Sequence, residues 1–282
     1  MTILTTSEPA DLDPKKGVVD ADVTTSVVET RGLTKRYGSR TVVDALDMRI
    51  PPGVVAGFIG PNGAGKTTTL RMLLGLVRPS AGDGRVFSLP LLSPASYLPR
   101  VGALIESPAF YPGLSGTRNL AVQATLGGHS LARVPVVLER VGLADRGGDR
   151  YRTYSLGMKQ RLGIAGALLG GPTLLILDEP TNGLDPAGIR DMRGLVRSLA
   201  QDGPTVLISS HLLAEVQQVC DWLVVIEHGR LVFQGPTAGV PGTHRTVARR
   251  RGRAEAGLRA PRRSAAAAGT AHPSRARCHH RR

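Results

Sequence analysis

The chain has little cysteine. Only Cys220 and Cys278 occur in 282 residues. They lie far apart without metal-ligand spacing, which excludes both a disulfide framework and a zinc site; Cys220 reads as a small core residue on a helix. Long apolar runs are also missing, and none approaches the roughly 18 to 20 residues that cross a bilayer. The N-terminus lacks a basic region followed by an apolar stretch, so it does not read as a secretory signal. Together these absences predict a cytoplasmic protein that meets the inner face of a membrane only through a partner. There is no internal repeat and no coiled-coil insertion. Lysine is absent from residues 241 to 282, which instead hold twelve arginines and one glutamate.

That last bias explains most of the net charge of +14. The body before residue 241 is close to ordinary, so the partners that excess positive charge suggests, nucleic acid or an anionic surface, rest on the tail alone. Residues 239 to 282 show neither helical nor strand periodicity and offer almost nothing apolar to offset the entropy of ordering, so they are expected to be disordered. Two readings compete for them. One is a basic arm for nucleic acid or acidic headgroups. The other, favoured here, is out-of-frame translation of GC-rich DNA, which is rich in Arg, Ala, Gly and Pro. No specific nucleic-acid partner is therefore expected. Residues 1 to 25, with Asp11, Asp13, Asp20, Asp22 and many threonines, read as a disordered leader.

Between the tails, residues 26 to 238 form the expected domain, and 41% hydrophobic content across the chain suffices for a sizeable core. Residues 54 to 59 are a short apolar run, followed by a glycine loop and helical spacing over 65 to 76. Residues 173 to 177 and 205 to 209 are two more buried-strand runs, each followed by a helix, over 186 to 199 and 212 to 219. Continuous apolar strands alternating with helices predict an α/β fold with a largely parallel sheet. Residues 27 to 33 and 41 to 50 alternate around Gly38-Ser39, predicting an antiparallel β-subdomain. A helical subdomain is expected over about 116 to 170, broken at Gly127-Gly128 and Gly147-Gly148.

The chemistry begins at Gly60-Pro61-Asn62-Gly63-Ala64-Gly65-Lys66-Thr67-Thr68. Glycines at 60, 63 and 65 let the backbone turn tightly, so its N–H groups point into one concavity at a helix start, where the dipole also favours anions. Triphosphate is the natural occupant. Lys66 would reach the β and γ phosphates and the Thr67 hydroxyl would ligate Mg²⁺, which prefers oxygen. Four hydrophobic residues precede Asp178, so its carboxylate emerges at the end of a buried strand near that loop and should hold Mg²⁺, directly or through water. Glu179 follows and can polarise the attacking water as general base. An exposed acidic turn before Pro180 is the weaker alternative, because an Asp on so apolar a strand needs a partner.

The order of the glycine loop, Ser155-Leu156-Gly157-Met158-Lys159-Gln160-Arg161, the Asp178-Glu179 strand and His211 resembles the ATP-binding subunit of ABC transporters, from about residue 27 to 235. The segment from Val101 through Glu106 to Tyr111 resembles the antibiotic-export branch, of the bacitracin and lantibiotic-immunity type. The resemblance implies a P-loop NTPase core that hydrolyses ATP for a separate transmembrane permease, exporting an antibiotic, antimicrobial peptide or drug. It implies that Tyr37 stacks on adenine, that His211 donates to the γ phosphate, and that the Asp185 loop crosses to a second subunit; an N-cap before Pro186 is the structural alternative for Asp185. Glu106 stands where most of the family has glutamine, joining the Mg²⁺ site to the permease. Leu156 and Met158 replace the family's usual Gly and Gln, yet Ser155 and Gly157 remain to cap the γ phosphate of a second ATP-binding subunit in a head-to-tail dimer, homodimer or sibling pair. An alternative from another class is an ABC-type ATPase acting on nucleic acid or ribosomes through the arginine tail. A third is a compromised product with apolar surface uncovered near residues 231 to 233.

Overall fold

A computed structural model describes residues 26–106, 109–201 and 203–239. All of these belong to one compact unit, Met1–Val240; the second unit, Pro241–Arg282, and the leader expected over 1 to 25 lie outside the described residues.

The N-terminal strands β1 (Val28–Tyr37), β2 (Arg40–Leu46) and β3 (Arg49–Ile50) lead to β4 (Val55–Ile59) and helix α1 (Lys66–Leu73). Next come β5 (Ala81–Val86), β6 (Leu89–Pro90) and β7 (Val101–Leu104), then α2 (Gly116–Leu126), α3 (Arg133–Arg140) and α4 (Leu156–Leu168). Strand β8 (Leu174–Leu177), α5 (Pro186–Gln201), β9 (Thr205–Ser210), α6 (Leu213–Val216), β10 (Trp222–Glu227) and β11 (Arg230–Pro236) complete the domain. Two sheets result. One is antiparallel, in the order β2-β1-β5-β6 with β3 also on β1; the other has six strands in the order β11-β10-β4-β9-β8-β7, parallel except for β11.

Every residue of β4 and β8 is buried. Successive side chains go to opposite faces of a strand, and the core divides accordingly. Val55 and Ile59 join Leu175, Leu177 and Ile208 in one apolar cluster with α4 and α5, whereas Ala56 and Phe58 join Ile176, Leu207 and Val224 in a second with α1 and the antiparallel sheet. At Gly57 an added Cβ would lie 2.3 Å from a Val216 methyl, so this strand position must be glycine for the segment after β9 to close on the sheet.

The α/β architecture read from the pattern is present, with three differences in detail. The strand expected over 41 to 50 is two: Ala45 has φ 46°, and Thr30 Oγ1 donates to Leu46 O and accepts from Met48 N–H at 2.8 and 2.9 Å, so the chain kinks before pairing β1 again. The helix expected over 212 to 219 is only α6, because Val216, Val219 and Cys220 must turn under β4 before β10 begins; Asp221 then accepts the Val55 N–H at 3.0 Å. Cys220 is accordingly buried but not helical, and burial, with the Asp221 charge second, pushes its thiol pKa up. Finally, β5, β6, β7, β10 and β11 had no counterpart in the sequence reading. Among the described residues no helix is long and apolar enough to cross a membrane.

Candidate active site

The loop 60 to 65 leaves the carboxyl end of β4, with β9 and β10 on either side. Three of its residues, Pro61, Asn62 and Gly63, are exposed, while Ala64, Gly65 and Lys66 are buried. Gly65 has φ 101°, and a Cβ there would meet the Val42 carbonyl oxygen at 2.7 Å. Gly60 is constrained by a different neighbour, the Ile226 carbonyl, 2.4 Å from where its Cβ would stand. The loop is thus pressed between the strand pair on one side and β2 on the other, and only glycine fits at both ends. Helix α1 opens directly from Gly65 with no side-chain cap, so its first N–H groups are not claimed by a capping side chain. Thr67 and Thr68 are half-buried on its first turn.

Lys66 curls back along the loop. Its ammonium donates to Gly60 O at 2.7 Å and Pro61 O at 3.3 Å and pairs with Glu179 Oε1 at 3.1 Å. Asp178 and Glu179 follow β8, and the Asp178 N–H donates to Leu104 O at 2.8 Å, continuing the ladder to β7 by one residue. The two carboxylates then part. Asp178, buried, accepts the Thr67 hydroxyl at 2.8 Å and the Ser209 hydroxyl at 2.5 Å. Glu179 swings into the left-handed region, φ 48°, and its Oε2 lies 2.8 Å from His211 Nδ1. A carboxylate only accepts, so the ring donates from Nδ1.

The structure therefore brings Lys66, Thr67, Asp178, Glu179 and His211 to one cluster, contributed by α1 and the ends of β8 and β9. Tyr37, at the end of β1, is 48% exposed, with Lys35 Nζ 4.9 Å from the ring centroid. Glu106 does something else. It follows β7 at φ 64° and pairs with Arg71 in the last turn of α1. Ser107 and Pro108, in the segment that suggested the export branch, lie outside the described residues. Of that segment, Phe110 meets Tyr151 edge-on at 5.2 Å, and buried Asn119 holds Tyr111 by both backbone groups.

Ser155 and Asp185 meet elsewhere. Ser155 caps α4, its Oγ accepting the Met158 N–H at 3.3 Å, and Asp185 caps α5, accepting the Gly188 N–H at 3.0 Å. With Gly157, Met158, Gly183 and Leu184 they line a cleft of about 530 Å³ that contains no residue of the phosphate loop. Leu156 stands 3.0 Å from where a Cβ on Gly183 would lie, so the start of α4 and the loop before α5 run side by side. Two participants were not foreseen. Arg71 gave no signal beyond a basic helix end, but Ser209 gave one: it is a hydroxyl at the end of the otherwise apolar run Val206-Leu207-Ile208.

Comparison with known proteins agrees with this geometry. Residues 43–182 match the ABC transporter family. The chain is 46% identical over 214 residues to the bacitracin transport ATP-binding protein BcrA of Bacillus licheniformis, covering 75% of this chain and 70% of that protein. It is 41% identical to the lantibiotic transport ATP-binding protein SrtF of Streptococcus pyogenes, covering 74% and 90% respectively. Among solved structures, an ATP-binding subunit of an ABC transporter superposes with a TM-score of 0.66 at 30% identity, over 75% of this chain and 90% of that one. Motif order, sheet order and these likenesses lead to one assignment: the chain belongs to the ABC transporter family as an ATP-binding, ATP-hydrolysing subunit.

Proposed function

We propose that this subunit powers the export of an antibiotic, antimicrobial peptide or drug through a separate transmembrane permease, working as one half of a head-to-tail dimer at the inner face of the membrane. The observation that carries the catalytic part is the convergence of Lys66, Thr67, Asp178, Glu179 and His211 within a few hydrogen bonds. The export part rests on the likeness to the bacitracin and lantibiotic transport proteins.

In this reading the adenine lies on the exposed ring of Tyr37, and the phosphates lie against the backbone of residues 60 to 65 and the side chains of Lys66 and Thr68. Thr67 Oγ1 and Asp178 Oδ2, 2.8 Å apart, are hard oxygen donors suited to Mg²⁺. The described residues contain no cluster of three His, Cys, Asp or Glu that would enclose a cation, so phosphate oxygens and water would complete the shell, as Mg²⁺ prefers. Bound there, Mg²⁺ supplies charge neutralisation across the β and γ phosphates. Glu106, paired with Arg71, joins that shell only by giving up its arginine.

Lys66 exchanges the Glu179 carboxylate for phosphate, which frees Oε1 to accept a proton from the attacking water. His211 keeps hold of Oε2 and so orients the base. Ser155, Gly157 and Asp185 close the partner's site, because one copy keeps them in a cleft apart from its own phosphate loop. ATP bound to both copies favours the closed pair, and hydrolysis removes that preference.

Mg²⁺-dependent ATP hydrolysis by the purified chain beside its Lys66→Ala variant tests this reading. Loss of at least about a hundredfold in the variant is expected, since electrostatic stabilisation at the phosphates is a major part of the acceleration. Equal rates in the two would remove Lys66 from the site. Glu179→Gln should hydrolyse little yet accumulate an ATP-bound dimer in light scattering.

A further inference from the structure

Ser209 is fully buried and stands beside the catalytic strand. Strands β8 and β9 run parallel with Leu177 opposite Ile208, so the next step in register sets Ser209 beside Asp178. Its single hydroxyl makes two bonds of opposite sense. The O–H donates to Asp178 Oδ1 at 2.5 Å, and the oxygen accepts the Glu179 N–H at 2.9 Å. Neither of these bonds reaches nucleotide, yet together they tie the Asp178 carboxylate and the backbone of Glu179, the two residues on which the proposed chemistry depends.

Each bond has a distinct effect. Asp178 has a hydroxyl on each oxygen, Thr67 on Oδ2 and Ser209 on Oδ1. Removing Ser209 would leave the carboxylate free to rotate about its Cβ–Cγ bond, turning Oδ2 away from Thr67. Glu179 is a non-glycine residue at φ 48°, a conformation that persists only where its surroundings fix it. Its N–H has turned out of the sheet ladder and points to Ser209, so the hydroxyl supplies the partner that the left-handed turn would otherwise cost. The neighbours extend the arrangement. Ser210 O accepts the Gly60 N–H at 3.3 Å, Ser210 Oγ accepts the Leu212 N–H at 3.0 Å, and His211 follows on Glu179.

We propose that Ser209 is a positioning residue, which holds Asp178 in its metal-binding orientation and Glu179 in the turn that presents its carboxylate to water. The inference rests on the ATPase reading above. Hydrogen-bonded supports of metal ligands cost 10- to 100-fold in metal affinity or activity when removed, by the general behaviour of such groups (~10 to ~100).

The test is the binding of trinitrophenyl-ATP, followed by fluorescence with Mg²⁺ and again with EDTA, to the full chain and to Ser209→Ala, Ser209→Thr and Ser209→Cys. The parent should bind more tightly with Mg²⁺. Ser209→Ala should bind as the parent does in EDTA, within about twofold, but lose about tenfold or more of the Mg²⁺-linked tightening, with kcat falling and KM for ATP rising in Mg²⁺ as that tightening is lost. Ser209→Thr, which keeps the hydroxyl, should restore both. If Ser209→Ala does not fold, Ser209→Cys, close in shape but a weak donor, should show the same loss. Mg²⁺-linked tightening unchanged within about twofold in the folded alanine or cysteine variant would overturn the proposal, as would failure of threonine to rescue. A parent that binds no analogue, or binds it no better than Lys66→Ala, would instead overturn the ATP-site reading on which the proposal stands.

Discussion

At the scale of single residues, the site was legible wherever chemistry follows from local spacing. Lys66 and Thr67 come directly after a glycine loop, and Asp178 and Glu179 directly after four apolar residues, so their neighbourhood could be read along the chain. Ser209 and Arg71 could not be read in that way. Their partners lie 31 and 35 positions away and are fixed by which strand or helix packs beside which. Tyr97 shows the same limit in the core. Its hydroxyl, fully buried, donates toward Leu73 O at 3.0 Å and Leu91 O at 3.3 Å, and burial pushes its pKa up to about 12. An unfolded tyrosine ionises near pH ~10, so between there and pH ~12 the unfolded chain holds fewer protons and stability falls as pH rises. Tyr151 and Tyr154, also raised by burial, act in the same direction. Urea unfolding at a series of pH values above about 9 should show Tyr97→Phe with a shallower decline than the parent. An unchanged slope would mean that the phenol is more hydrated than its surroundings indicate.

At the scale of elements, what could be read were long periodic stretches and strands bounded by motifs. The strands that escaped notice do not share one cause, since β10, Trp222–Glu227, is an apolar run that could have been read. Strand β5, Ala81-Gly82-Asp83-Gly84-Arg85-Val86, has two glycines and two charged residues and is held by pairing with β1, not by its own propensity. Helix α6 was overestimated because the apolar spacing after His211 serves a turn onto the sheet as well as a helix. That contact gives a quantitative expectation. Gly57→Ala would drive a methyl into Val216 and should destabilise the domain by about 1 to 3 kcal/mol in urea unfolding, the usual cost of overpacking. A neutral result would show that the segment after β9 moves freely. Ser155→Ala removes the cap of α4 at a cost of about 1 kcal/mol. In a Glu179→Gln background it should also reduce the ATP-dependent dimer seen by light scattering, well beyond what that loss of stability explains. Retention of the full dimer would separate the cap from the interface.

At the scale of the whole molecule, the strand order has a consequence for the making of the protein. Strand β4, which carries the phosphate loop, is the first of the large sheet in sequence, but its two neighbours are β9 and β10, residues 205–210 and 222–227. The loop's backbone is pressed by Ile226 and bonded to Ser210 and, through Ala64, to Gly229. A chain emerging from the ribosome thus displays its glycine loop long before anything exists to shape it, and non-local pairings of this kind are slow to form. Nascent chains stalled before residue 227 leaves the exit tunnel should not retain nucleotide, however complete their N-terminal half. Until that point a buried apolar strand, Val55 to Ile59, lacks at least one of its two neighbours. The synthesis of this ATPase is therefore vulnerable to aggregation through the same strand that will later carry its phosphate loop.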